Sequence, residues 1–175
     1  MNIQAIKLVW AGQGIGREWM CTKDDPIQLD DFPGCDAFYQ VRNPEKTDVF
    51  YFRPDKPEET EPRCDYLLFV PANGDVRLIE LKGGDNPDRN KPRGPGAWAH
   101  AFDQLRQTFC AYRGYLENGD SVTFVLCTSW NRAKPPYARF KQYTAYRKLR
   151  DLAERDIVIL YEDEWDNPLD GKNIS

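Results

Sequence analysis

The sequence predicts an α/β (α+β) fold: one domain with a mixed central sheet, a β-hairpin within it, and flanking helices. Three observations carry this. Short runs rich in Val, Ile, Leu, Phe and Tyr recur between turn residues. Two longer segments, 97–116 and 135–154, repeat apolar or aromatic residues at helical spacing. The order of the segments (strands, hairpin, helix, strand, helix, strand) suits a mixed sheet with helices packed on it.

Taken in order, IQAIKLVW (3–10) reads as a first strand and AGQGIG as a glycine-rich turn. Its spacing is G-x-G-x-G, not G-x-G-x-x-G, and no clear helix follows, which disfavours a dinucleotide loop. Residues 21–36, rich in Asp and Pro, read as a loop. AFYQVRN (37–43) and DVFYFR (48–53) alternate as strands, with Asn43-Pro44 marking the turn between them. A loop over 54–63 precedes DYLLFV (65–70) and DVRLIELK (75–82), two strands joined by PANG. A long Gly/Pro/Asp loop leads to the first helix, whose Trp98, Phe102, Leu105, Phe109 and Tyr112 recur at helical spacing. SVTFVLCTSW (121–130) is a buried strand, PPYARFKQYTAYRKLRDLAE a helix opened by proline, and DIVILY (156–161) a last strand.

At 175 residues, 41% hydrophobic and 30% charged, the chain suits one globular domain over 1–175, with a core expected at about 36–161. No apolar run approaches the roughly 18 residues of a membrane span. The N-terminal stretch has no basic region and no A-x-A-like site, so no signal peptide is expected and a cytoplasmic setting is. Five cysteines without a CxxC fit reduced thiols, and the spacing of Cys21, Cys35 and Cys64 is poor for zinc. A net charge of -4 and a pI near 5.1 speak against a protein that coats nucleic acid. Charge is uneven, however. Arg132, Lys134, Arg139, Lys141, Arg147, Lys148 and Arg150 fall in one stretch without an acid, and eight acids follow between 151 and 170 against Arg155 alone.

The most informative segment is VRLIELKGGD. Strand alternation puts Val76, Leu78, Glu80 and Lys82 on one face, and mid-strand both faces are apolar, so the strand is expected to be central. Asn73-Gly74 favours a two-residue type I′ turn. That turn would set Ala72 against Asp75, Val70 against Arg77, Leu67 against Glu80 and Asp65 against Lys82, with Asp65 diagonal to Glu80. A three-residue loop would flip the face. Two carboxylates about 5 Å apart repel by roughly 3 kcal/mol at an effective dielectric near 20. Either the Lys82 ammonium or a divalent cation offsets this, with the Leu81 carbonyl as a further oxygen ligand. The plainer alternative is a cross-strand salt bridge, but buried charge pairs stabilise poorly.

At these residues the chain resembles the PD-(D/E)xK (restriction endonuclease-like) nuclease superfamily. Asp65 leads one strand, Glu80-Leu81-Lys82 ends the next, and a helix with FDQLRQT follows; the resemblance covers roughly 64–127. It implies that Asp65 and Glu80 bind one or two Mg²⁺ or Mn²⁺ ions. It further implies that Lys82 activates or positions a water, and that Gln104 orients the lysine, a phosphate or a metal-bound water. The implied function is a metal-dependent nuclease hydrolysing phosphodiester bonds, with DNA the expected substrate and phage defence or DNA repair the expected setting. Many members carry an acid on a helix before the hairpin. Here no clear helix precedes it, and Glu18 and Asp36 are the candidates. The alternative is a nuclease-fold module without catalysis that binds nucleic acid or a partner protein. Since no DNA-reading module is evident, a homodimer or partner protein is expected.

Lys82→Ala is expected to abolish cleavage and leave folding intact. His100 reads as a surface or structural residue, Trp98 as core in preference to a base-stacking platform, and Arg89, Lys91 and Arg93 as a solvated or DNA-contacting loop.

Overall fold

Hydrogen-bonded on both edges, Asp75–Lys82 (β6) is an interior strand whose residues 76–81 are all buried. The computed structural model describes residues 1–13, 17–30, 38–54, 63–82, 95–128, 144–153 and 158–160. Around β6 these form helix α1 (Ile3–Gly12), strands β1 (Met20–Thr22), β2 (Ile27–Asp30), β3 (Phe38–Val41), β4 (Val49–Phe52) and β5 (Tyr66–Val70), helix α2 (Pro95–Tyr112), strand β7 (Ser121–Thr128), helix α3 (Thr144–Ala153) and strand β8 (Val158–Leu160). The main sheet runs β1-β4-β5-β6-β7-β8, and β2 and β3 form a separate pair. Pairing is antiparallel from β1 to β6 and parallel through β6, β7 and β8. This is the mixed α+β architecture that the sequence predicts.

Strand alternation divides the core in two. Leu67, Phe69, Val76, Leu78, Phe124 and Leu126 face a layer holding Phe102 and Leu105 of α2, Tyr146 and Leu149 of α3, and Ile6 and Trp10 of α1. Leu68, Val70, Ile79, Leu81 and Val125 face the opposite way, onto Ile27, Leu29, Tyr39 and Val41 of the β2–β3 pair. β6 and β7 are therefore covered on both sides, which accounts for their near-continuous apolar sequence.

Four expectations are corrected. Residues 3–10 form a helix, not a strand. The Asn2 side chain caps it by accepting from the Ala5 N–H at 2.9 Å, and Ile6 and Trp10 share its buried face while Leu8 is exposed. Apolar residues at nearly every position had blurred the period. The stretch 21–36 is not a continuous loop: it holds the end of β1 and all of β2, where Ile27 and Leu29 point in and Gln28 and Asp30 point out. The two strands flanking Asn43-Pro44 do not pair with each other; β3 pairs with β2, and β4 with β1 and β5. The core also extends beyond the expected 36–161, since Ile6, Trp10 and Trp19 are buried in it. The second predicted helix is seen as α3 from Thr144; its predicted start at Pro135 lies outside the described residues.

The two-stranded layer is tied to the sheet by charge. Arg77 of β6, almost fully buried, donates to the Tyr39 hydroxyl and, at 2.7 Å, to the Asp75 carboxylate. Burial pushes the Tyr39 hydroxyl up to about 12, against the opposing pull of the Arg77 charge. An unfolded tyrosine ionises near 10. The contribution of Tyr39 is therefore complete below about pH 10 and is lost as pH rises through about 12, because the unfolded chain releases its proton first. Tyr39→Phe should cost about 1–3 kcal/mol at pH 8, as a buried guanidinium loses an acceptor. It should also flatten the alkaline loss of stability; urea unfolding at pH 8 and pH 11 measures both effects.

Candidate active site

The turn after β5 has four residues, Pro71–Gly74, and not two. The Gly74 N–H donates to the Val70 carbonyl at 3.0 Å, and only Gly74 takes positive φ there, at 70°. Pro71 cannot donate to a ladder, so β5 ends at Val70. The register is accordingly Val70 to Asp75, Leu68 to Arg77 and Leu67 to Leu78, two residues away from the predicted one. An even shift preserves faces. Glu80 and Lys82 stay with Leu78 on the helix-covered side, as expected. Carried one step past Tyr66–Ile79, this register sets Asp65 opposite Glu80, with Lys82 on the diagonal.

The side chains meet there. Asp65, 5% exposed, accepts from the Leu81 N–H at 2.6 Å through Oδ2. Glu80 is fully buried, and the Lys82 ammonium lies against its Oε1. Lys82 Nζ also donates to Gln104 Oε1 at 3.0 Å, and Gln104 Nε2 donates to the Arg63 carbonyl at 2.8 Å. Since a carbonyl can only accept, the amide orientation of Gln104 is fixed: nitrogen to Arg63, oxygen to the ammonium. All four predicted residues (Asp65, Glu80, Lys82 and Gln104) are thus brought to one place, where α2 crosses the C-terminal end of β6. In open α/β sheets ligands bind at the carboxyl ends of parallel strands. β6 and β7 run parallel here, with Glu80 beside Leu126 and Lys82 beside Thr128.

Helical spacing explains why α2 reaches the site with two side chains. Gln104 and Thr108 are four residues apart and share a face. Thr108 Oγ1 donates to the Gln104 carbonyl and accepts from the Cys64 N–H, each at 2.9 Å. Together with Gln104–Arg63, this staples the helix to the segment that carries Asp65. Sequence reasoning missed Thr108 and Arg63. The signal for Thr108 was a hydroxyl residue within a helix, four residues from an already suspected glutamine.

Two thiols lie close by. Burial pushes both Cys64 and Cys127 well above the usual thiol range; the Asp65 charge adds to each, and Glu80 adds to Cys64, while a Thr108 hydrogen bond opposes the shift at Cys64. Raised in this way, neither is the low-pKa thiolate of a reactive cysteine.

The donors left for a cation are hard oxygens: Asp65, Glu80 and the Leu81 carbonyl. In an extended strand a residue's N–H and C=O face the same edge, and the Leu81 N–H already points to Asp65. Carboxylate and carbonyl oxygens suit Mg²⁺ or Mn²⁺, and Mg²⁺ is commonly held by one or two carboxylates with waters completing its shell. Among the described residues no three His, Cys, Asp or Glu side chains are grouped to hold a metal. Of the candidate upstream acids, Glu18 is exposed and Asp36 lies outside the described residues.

His100 is exposed, as expected. On α3, Arg147, Lys148 and Arg150 are exposed, with Arg150 paired to Asp151 at 2.7 Å. The Trp98 side chain, the Arg89–Arg93 loop, and Arg132, Lys134, Arg139 and Lys141 lie outside the described residues. Comparison with protein-family models, curated proteins and solved structures found no match to this chain.

Proposed function

We propose that the chain is a nuclease that hydrolyses phosphodiester bonds with one Mg²⁺ or Mn²⁺ ion. The observation that carries this is the chain of contacts from Glu80 through Lys82 and Gln104 to the Arg63 carbonyl, with Asp65 held beside it. A salt bridge alone needs none of that. A buried ion pair roughly breaks even against apolar side chains, whereas a lysine aimed by a glutamine at the rim of a carboxylate pair has a use in catalysis.

Asp65, Glu80 and the Leu81 carbonyl would hold the ion, which when bound would acidify a water and offset charge on the phosphate. The chain's own residues do the rest. Asp65 is fixed by the Leu81 N–H, so its second oxygen is presented in one orientation. Lys82, with one direction taken by Gln104, keeps its cationic head at the cluster's outer edge, where it positions the attacking water and the scissile phosphate. Gln104 is a positioning residue. The burial of Glu80 lowers the local dielectric and strengthens each of these interactions.

DNA is the proposed substrate, a cytoplasmic setting in phage defence or repair the proposed context, and a homodimer or partner protein the proposed means of reading DNA. Among the described residues no helix is long and apolar enough to cross a membrane. One observation favours the second reading, a binding module without catalysis: Lys82 already neutralises Glu80. Incubating supercoiled plasmid with Mg²⁺, Mn²⁺ or EDTA separates the two. The nuclease reading requires nicking with a divalent ion and none in EDTA; intact plasmid in all three leaves the binding module.

The exposed cations of α3 supply a nucleic-acid binding surface in this proposal. Charge reversal of Arg147 and Arg150, three residues apart on one helix face, should weaken duplex binding. The slope of log K against log salt should fall by about 0.9 for each phosphate that the variant no longer neutralises. Unchanged affinity and slope would make this face solvent-facing only.

A further inference from the structure

The side of α2 that reaches the candidate site carries one group that the proposed reaction leaves unused. His100, Gln104 and Thr108 stand four residues apart, one above another on the helix. Thr108 is fully buried, Gln104 half-buried and His100 exposed. We propose that His100 binds the phosphodiester held at Lys82, as a cationic contact on the substrate side of the site. This contact rests on the nuclease reading and deepens it by naming how the site grips its substrate.

Helix direction puts His100 beyond the strand end. β6 and β7 are parallel, so the helix between them runs back along the sheet. Phe109 and Tyr112, late in α2, share a small apolar pocket with Val76 and Val122 at the start of those strands, whereas Gln104 meets Lys82 at the end of β6. One turn before Gln104, about 6 Å along the axis, His100 therefore stands past the carboxyl end of β6, where ligands of open α/β sheets bind. Helix phase agrees. At about 100° per residue, His100 lies about 40° from Gln104, turned toward solvent, and about 160° from Phe102. Phe102 packs on Tyr146 with ring centroids 5.3 Å apart, so α3 covers the other flank of α2.

The chemistry suits a phosphate. An imidazolium donates through both ring nitrogens. Donors that bond different oxygens of one phosphate, each at about 2.9 Å, stand roughly 6–8 Å apart. One helical turn supplies a spacing of that order between His100 and the ammonium that Gln104 holds. The other titratable groups of this turn and of the site are Asp103, Lys82, Glu80 and Asp65. Asp103 accepts from Arg106 at 2.9 Å, Glu80 meets Lys82, and Asp65 accepts from the Leu81 N–H. An unperturbed imidazole is half-protonated near pH 6.5. The contact with an anionic phosphodiester therefore strengthens as pH falls and fades as pH rises.

The chain has a single histidine, so one imidazole signal in the proton magnetic resonance spectrum reports on His100 alone. The test follows that signal between about pH 5 and pH 8, in Mg²⁺, with and without a phosphorothioate DNA duplex that resists hydrolysis. Salt is held at about 0.15 M, where charges more than about 8 Å away are screened. Duplex affinity is measured at both ends of the pH range in the wild type and in His100→Gln, which changes an exposed side chain. The midpoint of the signal should rise by about one pH unit with the duplex. By linkage the wild type should then hold the duplex about tenfold more tightly at the acid end than at the alkaline end. In His100→Gln that difference should vanish. A midpoint that the duplex does not move, a tenfold difference that persists in His100→Gln, or a wild type that does not bind the duplex overturns the proposal. A protein that nicks plasmid but shows no shift keeps its nuclease reading and loses this contact. One that shows the shift, and its loss in His100→Gln, but never nicks keeps the contact and loses the nuclease reading.

Discussion

Lys82→Ala is expected to lower cleavage by at least about a hundredfold, the scale of losing one positioned group in proton transfer. Unlike the expectation drawn from sequence, it should also destabilise the fold. Glu80 is fully buried and meets the Lys82 ammonium. Removing one partner of a buried pair leaves an uncompensated charge, at a cost of about 3–5 kcal/mol. In EDTA the variant should therefore unfold at markedly lower urea concentration. Adding Mn²⁺ should recover much of the loss, because the ion supplies the missing positive charge at Glu80. Cleavage rate and urea midpoint, each with and without Mn²⁺, are the observations needed. Full activity removes Lys82 from the mechanism. A stability loss that Mn²⁺ does not recover makes the Glu80–Lys82 pair structural.

Glu80→Gln should act in the opposite sense on stability while also ending cleavage. The amide keeps the shape and removes the buried charge, and Lys82, with its side chain 15% exposed, can turn its head toward water. Stability without metal should be unchanged or higher. Wild-type protein at a Mn²⁺ concentration one hundred times Kd should gain about 2.7 kcal/mol. For a chain of this length that is a rise in Tm of about 5–10 °C. In Glu80→Gln that rise should disappear, and cleavage should fall by about a thousandfold, as when a charge-stabilising group is lost. A variant that melts early in EDTA, or that keeps the Mn²⁺ shift, contradicts the assignment of Glu80 as a ligand.

Much of this was legible in the sequence because it rests on periods. The alternation of β6 placed Glu80 and Lys82 on the face of Leu78 whatever the turn, provided its length was even, so the site survived a register error of two residues. Gln104 came from the resemblance carried by FDQLRQT and not from a period, and the register error exchanged only which residue stands opposite Asp65. What failed were places where local pattern is silent. In α1 nearly every residue is apolar, so strand and helix periods both fit, and the deciding signal was a single capping side chain, Asn2. In β2 two inward residues among Asp and Pro were too short a run to distinguish from a loop.

The most direct measurement is an anomalous difference map from crystals soaked in Mn²⁺. The account predicts one peak bounded by the carboxylates of Asp65 and Glu80 and the Leu81 carbonyl, with the Lys82 ammonium moved off Glu80 but still hydrogen-bonded to Gln104. A map with no peak between Asp65 and Glu80, and with Lys82 still against Glu80 at saturating Mn²⁺, would contradict it.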